Sequence, residues 1–127
     1  MDFIDLKSRQ KLIREEVDER IQGVLEHGQF ILGPEVRDLE QRLAGYVGVK
    51  HCVTVSSGTD SLLIALMALE VGPGDEVITV PYTWISSAEV IALLGATPVF
   101  VDVREDTLNM DEKLLETAIT SKTKAIM

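Results

Sequence analysis

The sequence predicts an α/β protein in which a mostly parallel sheet is flanked by helices. From residue 52 onward, short apolar segments typical of buried strands alternate with longer segments that have helical spacing. Turns rich in glycine separate these segments, and each strand-to-strand connection is long enough to hold a helix. Because parallel strands need such crossover connections, the alternation favours a parallel sheet with helices on its faces.

Residues 1–50 are predicted to form a separate helical segment. Apolar residues at helical spacing predict a first helix over residues 8–27, with Ser8 as its N-cap and Gly28 as its end. After a short extended link, "GQFILGPE", Pro34 occupies a favoured first position of the second helix. This helix is expected to end at Gly48 and to bury one stripe of side chains: Val36, Leu39, Leu43 and Val47.

Residues 51–127 are predicted to hold the first strand–helix units of an α/β domain. The predicted strands cover residues 52–55, 77–80, 98–103 and 124–127, and the predicted helices cover residues 60–69, 86–94 and 110–119. The last of these strands looks like one that enters a core. We therefore expect the chain to be the first part of a longer protein.

Composition and charge exclude several classes of function. The 127 residues are 46% hydrophobic and 26% charged, as in a globular domain. The net charge of −9 offers no basic surface for nucleic acid or an anionic membrane, although a helix N-terminus can still bind a small anion. The single cysteine indicates a reducing compartment, and "MDFIDLKSRQ" does not have the apolar core of a secretory signal. We expect a soluble cytoplasmic protein.

The polar stretch "SSGTDS" lies where the first predicted strand meets a helix. Ligands of open α/β sheets bind beyond the carboxyl ends of the strands, and the first N–H groups of a helix point to the same place. Gly58 lets the backbone approach a ligand, and hydroxyl groups add donors at Ser57, Thr59 and Ser61. The stretch therefore predicts a phosphate site. Asp60 is expected to point away from the anion and to serve the helix dipole.

Three other interpretations of this stretch fail on residue type. A P-loop needs a lysine after its second glycine, a dinucleotide fingerprint needs three spaced glycines, and a nucleophile elbow needs Gly-x-Ser-x-Gly. A purely structural interpretation stays open, in which Ser57 or Thr59 is only an N-cap.

The loop after the second predicted strand carries Tyr82 and the single tryptophan, Trp84. A parallel neighbour brings this loop to the same edge of the sheet as the predicted phosphate site. The ring of Trp84 could then stack on a flat cofactor whose phosphate lies in that site. The alternative is that Trp84 is an ordinary core residue.

We expect mainly structural roles for the other chemically active residues. Asp102, at the end of "PVFVDV", could reach a ligand, but it is expected to cap the turn that follows it. Cys52 is expected to be buried inside a strand. His27 and His51 lie far in sequence from any group of acids or cysteines, so we expect no metal site.

Five stretches resemble, in order and spacing, the pyridoxal-phosphate-dependent nucleotide-sugar aminotransferases of the DegT group, which have fold type I. These are "FILGPEV", "SSGTDSL", "VGPGDEVITVPYTW", "LLGATPVFVDV" and "LETAITSKTKAI". The resemblance covers essentially the whole chain. It implies that residues 51–127 are the first strand–helix units of the cofactor-binding domain of such an enzyme.

The resemblance also implies roles for individual residues. It implies that the phosphate of pyridoxal 5'-phosphate is held by Ser57, Gly58, Thr59 and Asp60, and that Trp84 stacks on its ring. It further implies that Gly28 and Phe30 contact the sugar nucleotide. The branch that it favours handles a UDP-linked 2-acetamido-3-keto-uronic acid, with glutamate as amino donor, for surface polysaccharide and lipopolysaccharide biosynthesis.

In the family pattern, the Schiff-base lysine and the acid that pairs with the pyridinium nitrogen lie beyond residue 127. Lys122 and Lys124 match neither position. The resemblance therefore implies an active homodimeric parent enzyme and a 127-residue chain that is inactive alone. Two alternatives stay open: a truncated, non-catalytic module that binds a phosphorylated ligand or a partner subunit, and a related fold-type I enzyme with a non-sugar substrate.

Overall fold

The computed structural model describes residues 4–127. The chain divides into two compact units, one ending at Thr54 and the other running from Val55 to Met127. In the described part of the chain, no helix is long and apolar enough to cross a membrane.

The first unit contains helix α1 (Leu6–His27) and helix α2 (Pro34–Val47). The predicted N-cap of α1 is wrong, because Asp5 takes this place and accepts the backbone N–H of Ser8 at 2.9 Å. Asp5 and Ser8 are both suitable caps, and the helix begins at the earlier one, where Ser8 becomes the residue whose N–H needs an acceptor.

Both helices end at the glycines that the sequence predicts. Gly28 and Gly48 have φ values of 68° and 79°, in the left-handed region, and their N–H groups bond to the carbonyls of Val24 and Ala44. Gly33 is the N-cap of α2, and Pro34 lies at its first helical position, as predicted.

The predicted buried stripe of α2 is wrong, because Ala44 is the only buried residue among those of this helix. Helix α1 has no buried residue. Apolar residues at helical spacing are instead exposed on both helices: Leu12, Ile13, Val17, Ile21 and Leu25 on α1, and Leu39, Leu43 and Val47 on α2. The periodicity identifies the helices correctly, but burial needs a packing layer that this unit does not contain.

The strand predicted at residues 52–55 does not form. The backbone N–H and the hydroxyl of Thr54 both donate to the carboxylate of Glu40, at 2.8 and 2.9 Å. A strand needs the backbone of a neighbour, and here a side chain takes that place. Cys52 is consequently half-buried rather than enclosed in a sheet, and Val53 is exposed.

The second unit alternates helices and strands, as predicted. Its elements are α3 (Gly58–Ala68), β1 (Glu76–Thr79), α4 (Ser86–Leu93), β2 (Thr97–Phe100), α5 (Glu112–Ala118) and β3 (Thr123–Ile126). The strands are all parallel and lie in the order β2-β1-β3. The prediction of a parallel sheet with crossover helices is therefore confirmed.

Strand β1 lies at the centre of the sheet, and its side chains form the middle of the core. Val77 and Ile78 are fully buried, and Val90 and Ile91 of α4 are buried as well. Strand β2 is shorter than predicted, because it ends at Phe100 and Val103 pairs instead with Met110 in an isolated antiparallel bridge.

Gly33 lies too close to the link backbone for any larger residue. A Cβ atom there would lie 2.5 Å from the carbonyl oxygen of Gln29 and 3.1 Å from Oε2 of Glu35. Backbone cannot move aside as a side chain can, so the position requires glycine for space.

We expect Gly33→Ala to lower the free energy of unfolding by about 1–3 kcal/mol, the usual cost of overpacking. The control is Gly45→Ala, also in the first unit, where a Cβ atom meets nothing within 4 Å. Since alanine favours a helix interior, this control should raise the free energy of unfolding by about 0.5–1 kcal/mol. Urea unfolding measures both, and a neutral Gly33→Ala would contradict the close approach.

Candidate functional site

The N-terminus of α3 is formed by the "SSGTDS" stretch. Ser57 is the N-cap, and its Oγ accepts the backbone N–H of Asp60 at 3.1 Å. The N-cap interpretation is thus confirmed for Ser57, whereas Thr59 lies inside the first turn. Capping by Ser57 does not exclude a ligand here, because a helix N-terminus has several N–H groups without intrahelical partners and one cap satisfies only some of them.

The carboxylate of Asp60 folds back over the two serines before the helix. Its Oδ2 accepts the Ser57 hydroxyl at 2.9 Å and also the Ser56 hydroxyl. These two hydrogen bonds, the one from Ser56 first, lower the pKa of Asp60. The backbone N–H of Asp60 and its carboxylate are therefore both engaged within the cap.

Two backbone N–H groups of the first turn remain for a ligand. Across the described part of the chain, those of Gly58 and Thr59 have no acceptor. A Cβ atom added to Gly58 would meet nothing within 4 Å, so the approach to this backbone is open. The hydroxyl of Ser61 donates to the carbonyl of Gly58 at 2.6 Å and is thus already engaged.

A recess of about 470 Å³ lies beside these groups. Its lining consists of Gly58, Thr59, Ser61, Leu62, Trp84 and Ser86. The side chain of Trp84 is 75% exposed, so the alternative that it is a core residue is wrong. The structure thus brings together Gly58, Thr59 and Trp84, whereas Ser57 and Asp60 form the cap and do not line the recess.

Sequence reasoning missed Ser86 as part of this recess. Its side chain is buried, and its Oγ accepts the Thr59 hydroxyl at 3.2 Å. This hydrogen bond connects the first turn of α3 with the first residue of α4. A serine directly after an aromatic loop at a helix start was the available signal, but the sequence analysis used it only to place α4.

The other predicted binding residues lie in the first unit. Gly28 ends α1, and Phe30 follows in the link with a side chain that is 68% exposed. Asp102 Oδ1 accepts the N–H of the next residue, Val103, at 2.8 Å, and Val103 lies in an antiparallel bridge and not in a turn, so the predicted turn cap stays a prediction. Between residues 4 and 127, no group of three or more His, Cys, Asp or Glu side chains could hold a metal ion.

Comparison with known proteins identifies the relatives of this chain. The profile of the DegT/DnrJ/EryC1/StrS aminotransferase family matches residues 11–127. A UDP-2-acetamido-2-deoxy-3-oxo-D-glucuronate aminotransferase from Pseudomonas aeruginosa is 57% identical over 127 residues, which are 100% of this chain and 35% of that protein. The chain thus spans about a third of the length of the curated relatives it matches.

Solved structures of the same family confirm the fold. A DegT DnrJ EryC1 StrS aminotransferase from Brucella abortus superposes with a TM-score of 0.93 at 41% identity, over 99% of this chain and 36% of that one. NtdA from Bacillus subtilis, solved with bound cofactor PMP, gives a TM-score of 0.84 at 34% identity, over 88% of this chain and 26% of that one. The predicted fold-type I architecture is therefore confirmed.

We expect the Asp60 carboxyl to titrate below the usual range of an aspartate, because hydroxyl donors stabilise its charged form. The stability that this contributes is present above the ordinary pKa and is lost as the pH falls through the lowered pKa. Ser56→Ala should raise the pKa, whereas Thr117→Ala on the exposed face of α5 should not. NMR titration of the Asp60 carboxyl carbon measures this, and an unshifted midpoint in the wild-type protein would contradict the cap geometry.

Proposed function

The chain belongs to the DegT/DnrJ/EryC1/StrS aminotransferase family, and from that premise we propose that it is the N-terminal part of a pyridoxal-phosphate-dependent aminotransferase that acts on a nucleotide-linked keto sugar. The observation that supports this most is the recess in which unpaired N–H groups of Gly58 and Thr59 lie beside an exposed Trp84.

The donors in the recess fit the phosphate of the cofactor. The N–H groups of Gly58 and Thr59 lie at the positive end of a helix dipole, which favours an anion even in a chain of net charge −9. The Thr59 hydroxyl adds a donor, because it can turn from Ser86 toward a stronger acceptor. We propose that Ser57 and Asp60 contribute by fixing this turn.

The exposed ring of Trp84 fits the flat face of the cofactor. An aromatic side chain that stacks on a ring buries the two surfaces that face each other and limits tilting of the bound ring. When bound, pyridoxal phosphate supplies the electron sink for amino-group transfer. In this proposal, Trp84 orients the ring and the start of α3 anchors its phosphate.

The group that moves the proton is proposed to lie outside these residues. Neither Lys122 nor Lys124 matches the family position of the Schiff-base lysine, and neither lines the recess. Residues 1–127 therefore bind and orient the cofactor in this proposal but transfer no proton.

The proposed substrate is a UDP-linked 2-acetamido-3-keto-uronic acid, contacted by Gly28 and Phe30. The name of the P. aeruginosa relative supports this choice, because that protein is 57% identical to the chain. Glutamate is the proposed amino donor, so that glutamate and the keto sugar become 2-oxoglutarate and the amino sugar. We further propose a cytoplasmic homodimer that serves surface polysaccharide biosynthesis.

Cofactor affinity tests the two proposed contacts in the full-length protein. Thr59→Ala should raise the dissociation constant of pyridoxal phosphate roughly 10- to 100-fold, as expected for a lost hydrogen bond to a charged group. Trp84→Ala should raise it roughly 2- to 10-fold through the lost stacking, and Trp84→Phe should restore most of the affinity. Fluorescence or absorbance titration of the apoprotein measures the constants.

The matched controls are Thr117→Ala, an exposed threonine of α5, and Tyr82→Ala, an exposed aromatic in the same loop as Trp84 that does not line the recess. Neither should change the dissociation constant. If the controls weaken binding as much as Thr59→Ala or Trp84→Ala, the proposed contacts are wrong.

The reaction itself is tested with the full-length protein, pyridoxal phosphate, glutamate and the UDP-linked 3-keto sugar. We expect 2-oxoglutarate and the 3-amino sugar to form in equal amounts. Mass spectrometry measures both products. Residues 1–127 alone should form neither. Turnover by residues 1–127 alone would place the proton-transferring group inside this chain, and no turnover by the full-length protein would favour a binding module without catalysis.

A further inference from the structure

One imidazole ring connects the end of α1, the link that follows it and the start of α2. His27 is the last residue of α1, and its Nδ1 accepts the backbone N–H of Gln29 at 3.0 Å. Its Nε2 lies 3.0 Å from Oε1 of Glu35, in the first turn of α2. The ring therefore contacts three successive segments of the first unit.

This geometry fixes the tautomer of His27. A nitrogen that accepts an N–H group carries no proton, so in the neutral ring the proton is on Nε2 and is donated to Glu35. The hydrogen bond from His27 is the main cause of the lowered pKa of Glu35, to which Arg20 adds a smaller electrostatic effect. The ring is thus held on both sides.

The link between the helices has little else to hold it. Phe30, Ile31 and Leu32 are all exposed, so their side chains add no packing that would fix the backbone. Leu32 has a φ of 49°, in the left-handed region that disfavours residues with a Cβ atom. Of the hydrogen bonds described for residues 28–33, the one from Gln29 to His27 alone joins the backbone of the link to a side chain.

We propose that His27 is a positioning residue, which holds the link at residues 28–33 in the conformation that presents Gly28 and Phe30 to the nucleotide sugar. The inference rests on the proposed function, since it is there that these two residues receive a substrate. His27 does not contact the sugar itself in this proposal. It acts by accepting the Gln29 N–H while its other nitrogen is fixed by Glu35.

Steady-state kinetics of the full-length holoenzyme test this role. The reaction is run in reverse, with the UDP-linked 3-amino sugar and 2-oxoglutarate as substrates. We expect His27→Ala to raise KM for the amino sugar about tenfold, because one or two hydrogen bonds contribute a net free energy of that size. KM for 2-oxoglutarate should not change. His27→Asn should restore part of the loss, because its amide oxygen can accept the Gln29 N–H. His27→Gln should restore less, because it reaches toward Glu35 instead.

The tautomer provides a readout that needs no substrate. Long-range ¹H–¹⁵N NMR of the histidine ring should show His27 with a bare Nδ1 and a protonated Nε2. The opposite tautomer would overturn the inference, as would an amino-sugar KM in His27→Ala equal to that of the wild type. If the wild-type holoenzyme turns over no amino sugar while the NMR signature is present, the proposed function is wrong and the positioning role is overturned with it.

Discussion

The burial of strand β1 between two parallel neighbours is the constraint on which the unit from Val55 to Met127 depends. Val77 and Ile78 are fully buried, and the carbonyl of Ile78 accepts the N–H of Met127 at 2.8 Å. Since parallel strands can be joined only by crossovers, this pairing requires long connections, which here contain helices, and it makes all three strands end at one edge. The loop that carries Trp84 leaves β1 at that edge, and α4 begins immediately after it.

The sequence predicts the alternation of this unit because each element depends on local spacing and on glycine stops. The strand at residues 52–55 fails for the opposite reason, since pairing depends on a neighbour that no local pattern reveals. The apolar stripes of α1 and α2 likewise predict where helices form but not what covers them. For the N-cap of α1, two suitable residues compete within one turn, and propensity alone does not separate Asp5 from Ser8.

The sequence correctly predicts that the start of α3 and Trp84 lie together, but a different contact brings them together in the structure. Sequence reasoning brought the start of α3 to Trp84 through neighbouring strands, whereas the structure does so through the packing of α3 against α4 and the bond from Thr59 to Ser86. Polar pairs between helix starts leave no periodic signal. This is why Gly58, Thr59 and Trp84 could be predicted, whereas the serine at the start of α4 indicated only where that helix begins.

An acid in the first turn of α3 would be expected to repel the phosphate proposed to bind there, and the cap determines where its carboxylate lies. Ser56 and Ser57 donate to Asp60, so its charge is stabilised by hydroxyl groups and not by the N–H groups of Gly58 and Thr59. Ser57 in turn occupies the N–H of Asp60. The donors left over are the N–H groups of Gly58 and Thr59, and their selection follows from which side chains satisfy the rest of the turn. In its proposed role, His27 does the same at the C-terminal end of α1. By accepting the N–H of Gln29, its side chain limits the conformations of the backbone that follows.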